Sequence, residues 1–274
     1  MIDGALKIGV FDSGSGGLTV LKELVKAMPQ CSYIYFADTA NCPYGNRPQT
    51  EIIDLSTRIT RFLLSKGCDL IVVACNTATA AAIEHLRATF SVPFVGMEPA
   101  VKPAAIRTRT NSIGVLATAG TFNGRLYKET TKRYAADVKV CYQVGEGLVE
   151  LVEQGMADSV ESERLLKSYL EPMLQSGVDE LVLGCTHYPF FIPILKRILP
   201  SSVEIVDPSP AVARQAVRLL NGLNISGHYG CSNEPFVAFY SSSETTVLEK
   251  LAALLETSYD VKFKSPTFEA NVVL

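Results

Sequence analysis

Residues 70–77 read LIVVACNT, and residues 180–187 read ELVLGCTH. In both stretches a short run of Val, Ile and Leu leads into a cysteine and two polar residues. Apolar runs of this length, each followed by helix-forming sequence, are typical of buried parallel strands in βα units. Cys75 and Cys185 lie 185 − 75 = 110 residues apart, which suggests an internal repeat of one structural unit.

A second pair of apolar runs repeats at a similar interval. Ile8–Val10 and Ile113–Val115 both read Ile-Gly-Val, at an offset of 113 − 8 = 105 residues. One such pair would be a coincidence common in doubly wound proteins, whereas two pairs in the same order favour a repeated α/β module. We predict strands over 8–11, 34–37, 70–74, 113–116, 181–183 and 203–206. Helices are predicted over 19–27, 76–87, 211–220 and 246–255, with another that starts near Pro189 and Pro193.

The predicted fold class is therefore α/β, with two similar modules built on mainly parallel sheets. If the end of the chain returns to the first module, that module comprises residues 1–97 and 208–274, and the second comprises residues 98–207. Ligands of open α/β sheets bind outside the carboxyl ends of the strands. Polar and ionisable residues are concentrated at these predicted ends: Asp12-Ser13, Cys75-Asn76-Thr77, Thr118 and Cys185-Thr186-His187.

The composition is that of an ordinary globular protein: of 274 residues, 47% are hydrophobic and 19% are charged. A formal net charge of −3, without a basic run, argues against nucleic acid or an anionic membrane as a partner. We find no leader and no apolar run of about 20 residues, and we expect a cytoplasmic protein. Its seven cysteines are then reduced thiols, and the lack of a C-x-x-C pair argues against a structural zinc site.

Two of the cysteines, Cys75 and Cys185, are candidates for chemistry. Each follows a strand and precedes a helix, so the positive end of the helix should favour the thiolate and lower the thiol pKa from about 8.5. Two thiols on opposite sides of a small substrate suit one task, in which one removes a proton from a stereocentre and the other returns a proton to the opposite face. We predict that four of the other cysteines are small buried apolar residues: Cys31, Cys68, Cys141 and Cys231.

The residues around these thiols have structural as well as functional interpretations. Asp12 could cap a helix, or it could polarise a thiol or contact an ammonium group. His187 could be structural, or it could exchange protons with Cys185. The glycines of Gly14-Ser-Gly-Gly17 do not match G-x-G-x-x-G, because Thr19 stands at the last position, so they form either a plain turn or a cradle for a small anion.

Eight segments together resemble the bacterial glutamate racemases of the aspartate/glutamate racemase superfamily. They are IGVFDSGSGGLTVL (8–21), YFADTANCPYGNRP (35–48), VVACNTATA (72–80), VGMEPAVKPA (95–104), IGVLATAGTF (113–122), LVEQG (151–155), LVLGCTHYPFF (181–191) and VDPSPAVA (206–213). The second cysteine motif reads Cys-Thr-His, where the sister aspartate racemases typically have Cys-Thr-Glu, which favours glutamate. The tract before Glu153 departs from the family pattern, since Tyr142 stands where a proline is common, and Glu150 remains its competitor.

The resemblance implies two flavodoxin-like three-layer modules related by a pseudo-twofold axis, with the active site between them. It also implies a homodimer and racemisation of glutamate without pyridoxal phosphate, metal or nucleotide, which supplies D-glutamate for peptidoglycan. Cys75 would deprotonate the D-enantiomer with help from Asp12, and Cys185 the L-enantiomer with help from His187 and Glu153. The implied substrate contacts are Asp12, Ser13, Tyr44, Gly45, Asn76, Thr77, Thr118, Thr121, Thr186 and His187.

Three alternatives remain open at this point. The same chemistry could act on aspartate or another small amino acid. A binding protein or sensor could close its two modules on an acidic amino acid without any exchange of the α-hydrogen. A thiol redox enzyme is disfavoured by the missing C-x-x-C pair, and readily formed crosslinks between Cys75 and Cys185 would revive it.

Overall fold

The structure, a computed structural model, describes residues 6–222, 235–259, 263 and 266–274. Cys231, one of the cysteines assigned to buried packing, lies outside these residues. Within the described ranges, no helix combines the length and the apolar character needed to cross a membrane.

The strands begin and end close to the predicted positions. They are β1 (Lys7–Asp12), β2 (Ser32–Ala37), β3 (Leu70–Val73), β4 (Phe94–Gly96), β5 (Ser112–Ala117), β6 (Lys139–Val144), β7 (Glu180–Gly184), β8 (Glu204–Val206), β9 (Val237–Ser241) and β10 (Thr267–Glu269). The six predicted strands correspond to β1, β2, β3, β5, β7 and β8. Of the other four, β4 and β10 have three residues each and β6 is partly exposed, so their apolar pattern is weaker. The buried strand β9 was missed.

The helices connect successive strands. They are α1 (Leu18–Ala27), α2 (Gln49–Ser65), α3 (Asn76–Thr89), α4 (Val101–Arg107), α5 (Ala119–Asn123), α6 (Arg125–Tyr134), α7 (Leu148–Glu153), α8 (Val160–Gln175), α9 (Ile192–Ile198), α10 (Ser209–Gly222) and α11 (Thr246–Tyr259). The four predicted helices are confirmed as α1, α3, α10 and α11. The helix predicted after Cys185 is split into a 3-10 turn, Tyr188–Phe191, and α9, with a proline in the first turn of each piece.

Two parallel sheets repeat one strand order. The first sheet has the order β10-β9-β2-β1-β3-β4, and the second has the order β6-β5-β7-β8. The stretch β2-β1-β3-β4 of the first sheet thus corresponds strand by strand to the whole second sheet. All of these strand pairs are parallel. The predicted α/β fold with two mainly parallel sheets is confirmed, and Cys75 and Cys185 follow the corresponding strands β3 and β7.

Apolar side chains cover both faces of each sheet. In β3, Leu70 and Val72 belong to one hydrophobic cluster, while Ile71 and Val73 point into another. In β7, Leu181 and Leu183 join the same cluster as Leu70 and Val72. Because one continuous apolar cluster takes side chains from both sheets, the two halves of the molecule pack directly against each other, and the carboxyl ends of β1 and β7 come close enough for direct hydrogen bonds.

Candidate active site

The thiol of Cys75 occupies the N-cap position of α3. Its Sγ accepts a hydrogen bond from the backbone N–H of Ala78 at 3.4 Å and lies 3.7 Å from the hydroxyl of Ser13. The side chain is buried. The predicted delivery of this thiol by a strand to a helix N-terminus is confirmed.

The predicted lowering of the Cys75 pKa is wrong. Burial raises the pKa of this thiol far above its ordinary value, and the nearby carboxylate of Asp12 raises it further. The N–H of Ala78 and the hydroxyl of Ser13 lower the pKa, but they do not offset the loss of hydration. An ionised Cys185 would raise it further, so the two sulfur atoms influence each other electrostatically. In the unliganded protein Cys75 is therefore a neutral thiol.

Cys185 has different surroundings. It follows β7 and is buried, but a turn and the 3-10 segment Tyr188–Phe191 come next instead of an α-helix. The neighbour of its Sγ is Nδ1 of His187, at 3.7 Å. The two thiols therefore share a position in the repeated sheet but differ in their hydrogen-bonding partners, because the predicted helix N-terminus is present after Cys75 only.

Asp12, at the end of β1, joins the two halves of the site. Its Oδ2 accepts a hydrogen bond from the backbone N–H of Gly17 at 2.8 Å, and the hydroxyl of Thr186 lies 3.4 Å from the same oxygen. The thiol of Cys75 also contacts this carboxylate. Burial raises the pKa of Asp12, although the positive charge of His187 partly offsets this effect. Asp12 thus supports the loop before α1 and faces the Cys75 thiol at the same time.

Glu153 pairs with His187, whereas Glu150 is exposed. Nε2 of His187 lies 2.6 Å from Oε1 of Glu153, which also accepts a hydrogen bond from the N–H of Ser15 at 2.6 Å. Burial alone would lower the pKa of His187, but hydrogen bonds with Cys185, Cys42 and Glu153 hold it well above its usual range. Burial would likewise raise the pKa of Glu153, and the bonds from His187 and Ser15 hold it below its usual value. An imidazolium–carboxylate pair therefore lies behind Cys185.

The glycines between β1 and α1 leave room for this pair. A Cβ at Gly14 would collide with Oε1 of Glu153 and lie 2.9 Å from Sγ of Cys42. A Cβ at Gly16 would collide with the ring of His187. The lack of a side chain at these two positions therefore admits Glu153 and His187 to the loop.

Three threonine hydroxyls connect the two halves on the other side of the site. Oγ1 of Thr77, in the first turn of α3, lies 2.9 Å from Oγ1 of Thr118, the N-cap of α5, which lies 3.0 Å from Oγ1 of Thr121. A Cβ at Gly45 would lie 3.3 Å from Cβ of Thr118, so this loop also packs against the cluster. Tyr44 is buried and donates a hydrogen bond to Asp38 at 2.5 Å.

Asn76 has a buried amide group without a partner in the described part of the protein. Both its Nδ2 and its Oδ1 are buried and make no hydrogen bond. A buried polar group in this state destabilises the fold by roughly 1–3 kcal/mol unless something binds to it. Since Asn76 lies next to Cys75 in the sequence, the amide marks a place for a polar ligand beside the first thiol.

A model of the Asp/Glu/hydantoin racemase family matches residues 8–216, which is more than half of the chain and includes all the groups described above. The chain belongs to that family. A curated glutamate racemase of Herpetosiphon aurantiacus is 49% identical over 213 residues, which cover 78% of this chain and 84% of the relative. The glutamate racemase of Stutzerimonas stutzeri is 41% identical over 93% of this chain and 96% of the relative.

Two solved structures are similar to this chain in fold. Escherichia coli glutamate racemase, in complex with L-glutamate and the activator UDP-MurNAc-Ala, is 30% identical with a TM-score of 0.83, and the match covers 98% of this chain and all of that one. An aspartate racemase homologue from Pyrococcus horikoshii is 17% identical with a TM-score of 0.52, over 78% of this chain and 99% of that one. The second likeness concerns the fold alone.

Three residues of this racemase-family site were missed by the sequence reasoning. Cys42 lies beside Glu153 and His187, and burial, opposed by its hydrogen bond with His187, raises its pKa to about 11. Ser15 holds Glu153 through both its N–H and its hydroxyl group, and Asp38 holds Tyr44. All three lie inside segments that carry the family resemblance, but nothing in the spacing of those segments indicates which side chains they meet.

Proposed function

We propose that this chain is a glutamate racemase that interconverts L- and D-glutamate by proton transfer between two cysteines. One observation carries the proposal. Two buried thiols, Cys75 and Cys185, follow corresponding strands of two repeated sheets, and each has an ionisable group of its own. The glutamate racemases among the relatives and solved structures support glutamate as the substrate, as does the Cys-Thr-His motif.

Cys75 and Asp12 form the first half of the proposed mechanism. Cys75 removes the α-proton of D-glutamate and supplies the proton when L-glutamate is the substrate. Its raised pKa favours the second role in the unliganded protein, because the buried sulfur keeps its proton. A buried thiolate is also a stronger base than a hydrated one, which reduces the gap between its basicity and the weak acidity of the α-proton. Asp12 orients the thiol and receives or returns its proton.

Cys185, His187 and Glu153 form the second half. Cys185 removes the α-proton of L-glutamate, and Nδ1 of His187, 3.7 Å from the sulfur, exchanges a proton with it. Glu153 contacts neither sulfur in the described hydrogen bonds. It therefore acts through His187, as a positioning residue that orients the imidazole and keeps it protonated.

The substrate is held by neutral hydrogen-bonding groups from both halves. We assign this role to Asn76 and to the hydroxyl-bearing and backbone groups around it: Ser13, Tyr44, Gly45, Thr77, Thr118, Thr121 and Thr186, with Asp12 and His187 at the reacting carbon. Hydrogen-bond donors aimed at the α-carboxylate stabilise the negative charge that develops when the α-proton leaves. Burial of the site strengthens that interaction, since water does not compete for the donors.

We extend the proposal to the setting of the enzyme. It is a cytoplasmic homodimer that supplies D-glutamate for peptidoglycan. Its first module comprises residues 1–97 and 208–274, and its second comprises residues 98–207. The distribution of strands supports this division, because the six-stranded sheet takes its strands from 7–96 and 237–269, and the four-stranded sheet from 112–206.

Exchange of the α-hydrogen in D₂O tests the function. The purified protein is incubated separately with L-glutamate, D-glutamate, L-aspartate and D-aspartate, and both enantiomeric composition and deuterium content are followed. We expect each glutamate enantiomer to give the other with deuterium at Cα, and we expect aspartate to remain unchanged. Binding of glutamate without deuterium incorporation would indicate a sensor. Exchange with aspartate alone would indicate an aspartate racemase. Either result contradicts the proposal.

A further inference from the structure

A cluster of three metal-ligating groups lies behind Cys185. Sγ of Cys42, a carboxylate oxygen of Glu153 and a ring nitrogen of His187 all lie within 4.8 Å of one another. The three residues come from separate segments: the turn after Thr39–Asn41, the end of α7, and the turn after β7. Only the fold brings them together, and in the described part of the chain this is the one group of three such ligands.

The cluster has the features of a prepared metal site. The backbone N–H and the hydroxyl of Ser15 donate to the two carboxylate oxygens of Glu153, as outer-shell donors do in metal centres. A side chain at Gly14 would occupy the space between Glu153 and Cys42. The ligand orientation is therefore supported by groups that do not themselves belong to the cluster.

A cavity of about 220 Å³ gives access to the cluster. Cys42 and Glu153 line it, and the carboxylates of Glu150 and Glu244 add negative charge to its wall. None of the residues that we assign to substrate binding lines this cavity. Carboxylates in a concave surface attract cations, so an ion in this cavity meets Cys42 and Glu153, whose ligand atoms lie within 4.8 Å of a ring nitrogen of His187.

We propose that Cys42, Glu153 and His187 bind one Zn²⁺ ion per chain, and that this ion inhibits the enzyme. A thiolate, an imidazole and a carboxylate are zinc ligands, and three of them leave the fourth tetrahedral position to water, whereas Ca²⁺ and Mg²⁺ prefer oxygen ligands throughout. Zinc–ligand bonds of about 2.0–2.3 Å place ligand atoms about 3–4 Å apart, so small side-chain rotations suffice. Cys42 and His187 each release a proton as they bind, and the 2.6 Å contact between Glu153 and His187 opens to admit the ion.

Inhibition follows from the capture of His187, and this part rests on the proposed function. Zinc takes the place of the proton on Nε2, the nitrogen that faces Glu153. The N–H that remains at Nδ1 beside Cys185 has no lone pair to accept the thiol proton, and it could give up its own proton only by forming an imidazolate. Cys42 transfers no proton in the proposed reaction but lies beside His187. Its replacement removes a zinc ligand, and the zinc sensitivity of each variant is therefore measured relative to its own zinc-free activity.

Zinc titration of the chelator-treated, full-length protein tests the site. We expect one equivalent of zinc to bind to the wild type and to Cys141→Ser, a matched control that alters another half-buried thiol, which lies in β6 and is not one of the three ligands. Cys42→Ser and Cys42→Ala should bind zinc at least about tenfold more weakly, since loss of an outer-shell partner alone weakens metal affinity by about 10–100-fold. Unchanged affinity in both folded Cys42 variants overturns the proposal.

Cobalt substitution identifies the thiol. Co²⁺ bound to a thiolate gives a charge-transfer band in the near ultraviolet, which we expect in the wild type and in a Cys75→Ala, Cys185→Ala double variant, and not in Cys42→Ser. If the double variant loses the band and Cys42→Ser keeps it, the two proposed catalytic thiols hold the metal and the proposal fails.

Inhibition of racemisation is measured last. The zinc concentration for half-inhibition should rise at least about tenfold in Cys42→Ser relative to the wild type and Cys141→Ser, and equal sensitivity of all three proteins contradicts the inhibitory role. If the protein does not racemise glutamate at all, the proposed function has failed, while the zinc stoichiometry and the cobalt band still decide whether the site exists.

Discussion

Nε2 of His187 and Oε1 of Glu153 lie 2.6 Å apart, although the two residues are 34 positions apart in the sequence. The contact joins the end of α7 to the turn after β7. Each partner favours the charged form of the other, since Glu153 contributes to the raised pKa of His187, and His187 to the lowered pKa of Glu153. The pair therefore fixes both the orientation and the charge of the group beside Cys185.

Replacement of Glu153 by Gln should slow racemisation by about tenfold, less than the roughly 10²–10⁴-fold contribution of a direct acid or base. The equilibrium constant of a racemisation is unity, so kcat/KM must fall equally in both directions. The asymmetry should appear in deuterium exchange into recovered substrate, with a larger loss for L-glutamate. Glu153→Asp should restore part of the activity. Equal losses of exchange for both enantiomers would indicate a merely structural role.

Single replacements of the thiols should separate the two halves of the reaction. Cys75→Ser and Cys185→Ser should each reduce racemisation in both directions by at least about 10²-fold, because one face of the substrate loses its acid or base. Slow exchange should persist for L-glutamate in Cys75→Ser and for D-glutamate in Cys185→Ser. Chiral chromatography and mass spectrometry measure both quantities, and the reverse pattern would invert the assignment of the thiols.

Asn76→Leu should stabilise the protein and weaken substrate binding. The amide of Asn76 is buried and unpaired, so a side chain of similar size without polar atoms removes a desolvation penalty of about 1–3 kcal/mol. KM should rise, because glutamate loses its hydrogen bonds with the Asn76 amide. Ser56→Ala is the matched control, since Oγ of Ser56 is also buried and unpaired but lies in α2. The control should gain stability at unchanged KM; an unchanged KM in Asn76→Leu would refute the assignment.

Gly14→Ala and Gly16→Ala should reduce activity by about 10²-fold through displacement of Glu153 and His187, because errors of about 1 Å in a catalytic group have effects of that size. Each new methyl group collides with a side chain of the pair. Overpacking should also destabilise both variants by about 1–3 kcal/mol. Gly222→Ala, at the end of α10 where a Cβ meets nothing within 4 Å, is the control. Wild-type activity in both loop variants would show that the loop adapts.

Stability should fall as the pH rises above about 8.5. Burial raises the pKa of Cys75, and it raises that of Cys31 to about 11 and that of Cys68 to about 12. In the unfolded chain these thiols lose their protons near pH 8.5, while the folded protein keeps them, so the unfolded state binds fewer protons and the unfolding free energy declines with pH. Each thiol contributes up to about 1.4 kcal/mol per pH unit. Urea unfolding under reducing conditions at pH 7.5, 8.5 and 9.5 measures the slope, and a flat profile contradicts it.

Local sequence was sufficient for the repeated strands and for the placement of both thiols. The apolar composition of short runs such as Leu70–Val73 and Glu180–Gly184 predicts buried strands. The carboxyl ends of parallel strands lie at one edge of a sheet, which places the residues that follow them together. The family resemblance then supplied the substrate class. These features depend on neighbours in the chain, which a single sequence displays directly.

Only the tertiary structure decided the pKa of Cys75 and the partners of both thiols. The sequence, through the family resemblance, assigned Glu153 to Cys185 but left Glu150 as its competitor, gave no role to Cys42, and predicted a lowered pKa for Cys75. Those questions depend on contacts between α7, the loop before α1 and the turn after β7, and on how far burial removes water from a sulfur atom. Desolvation depends on the whole packed interior. The sequence predicts the helix N-terminus beside Cys75 but not the burial of its sulfur, and burial raises the pKa more than the helix lowers it.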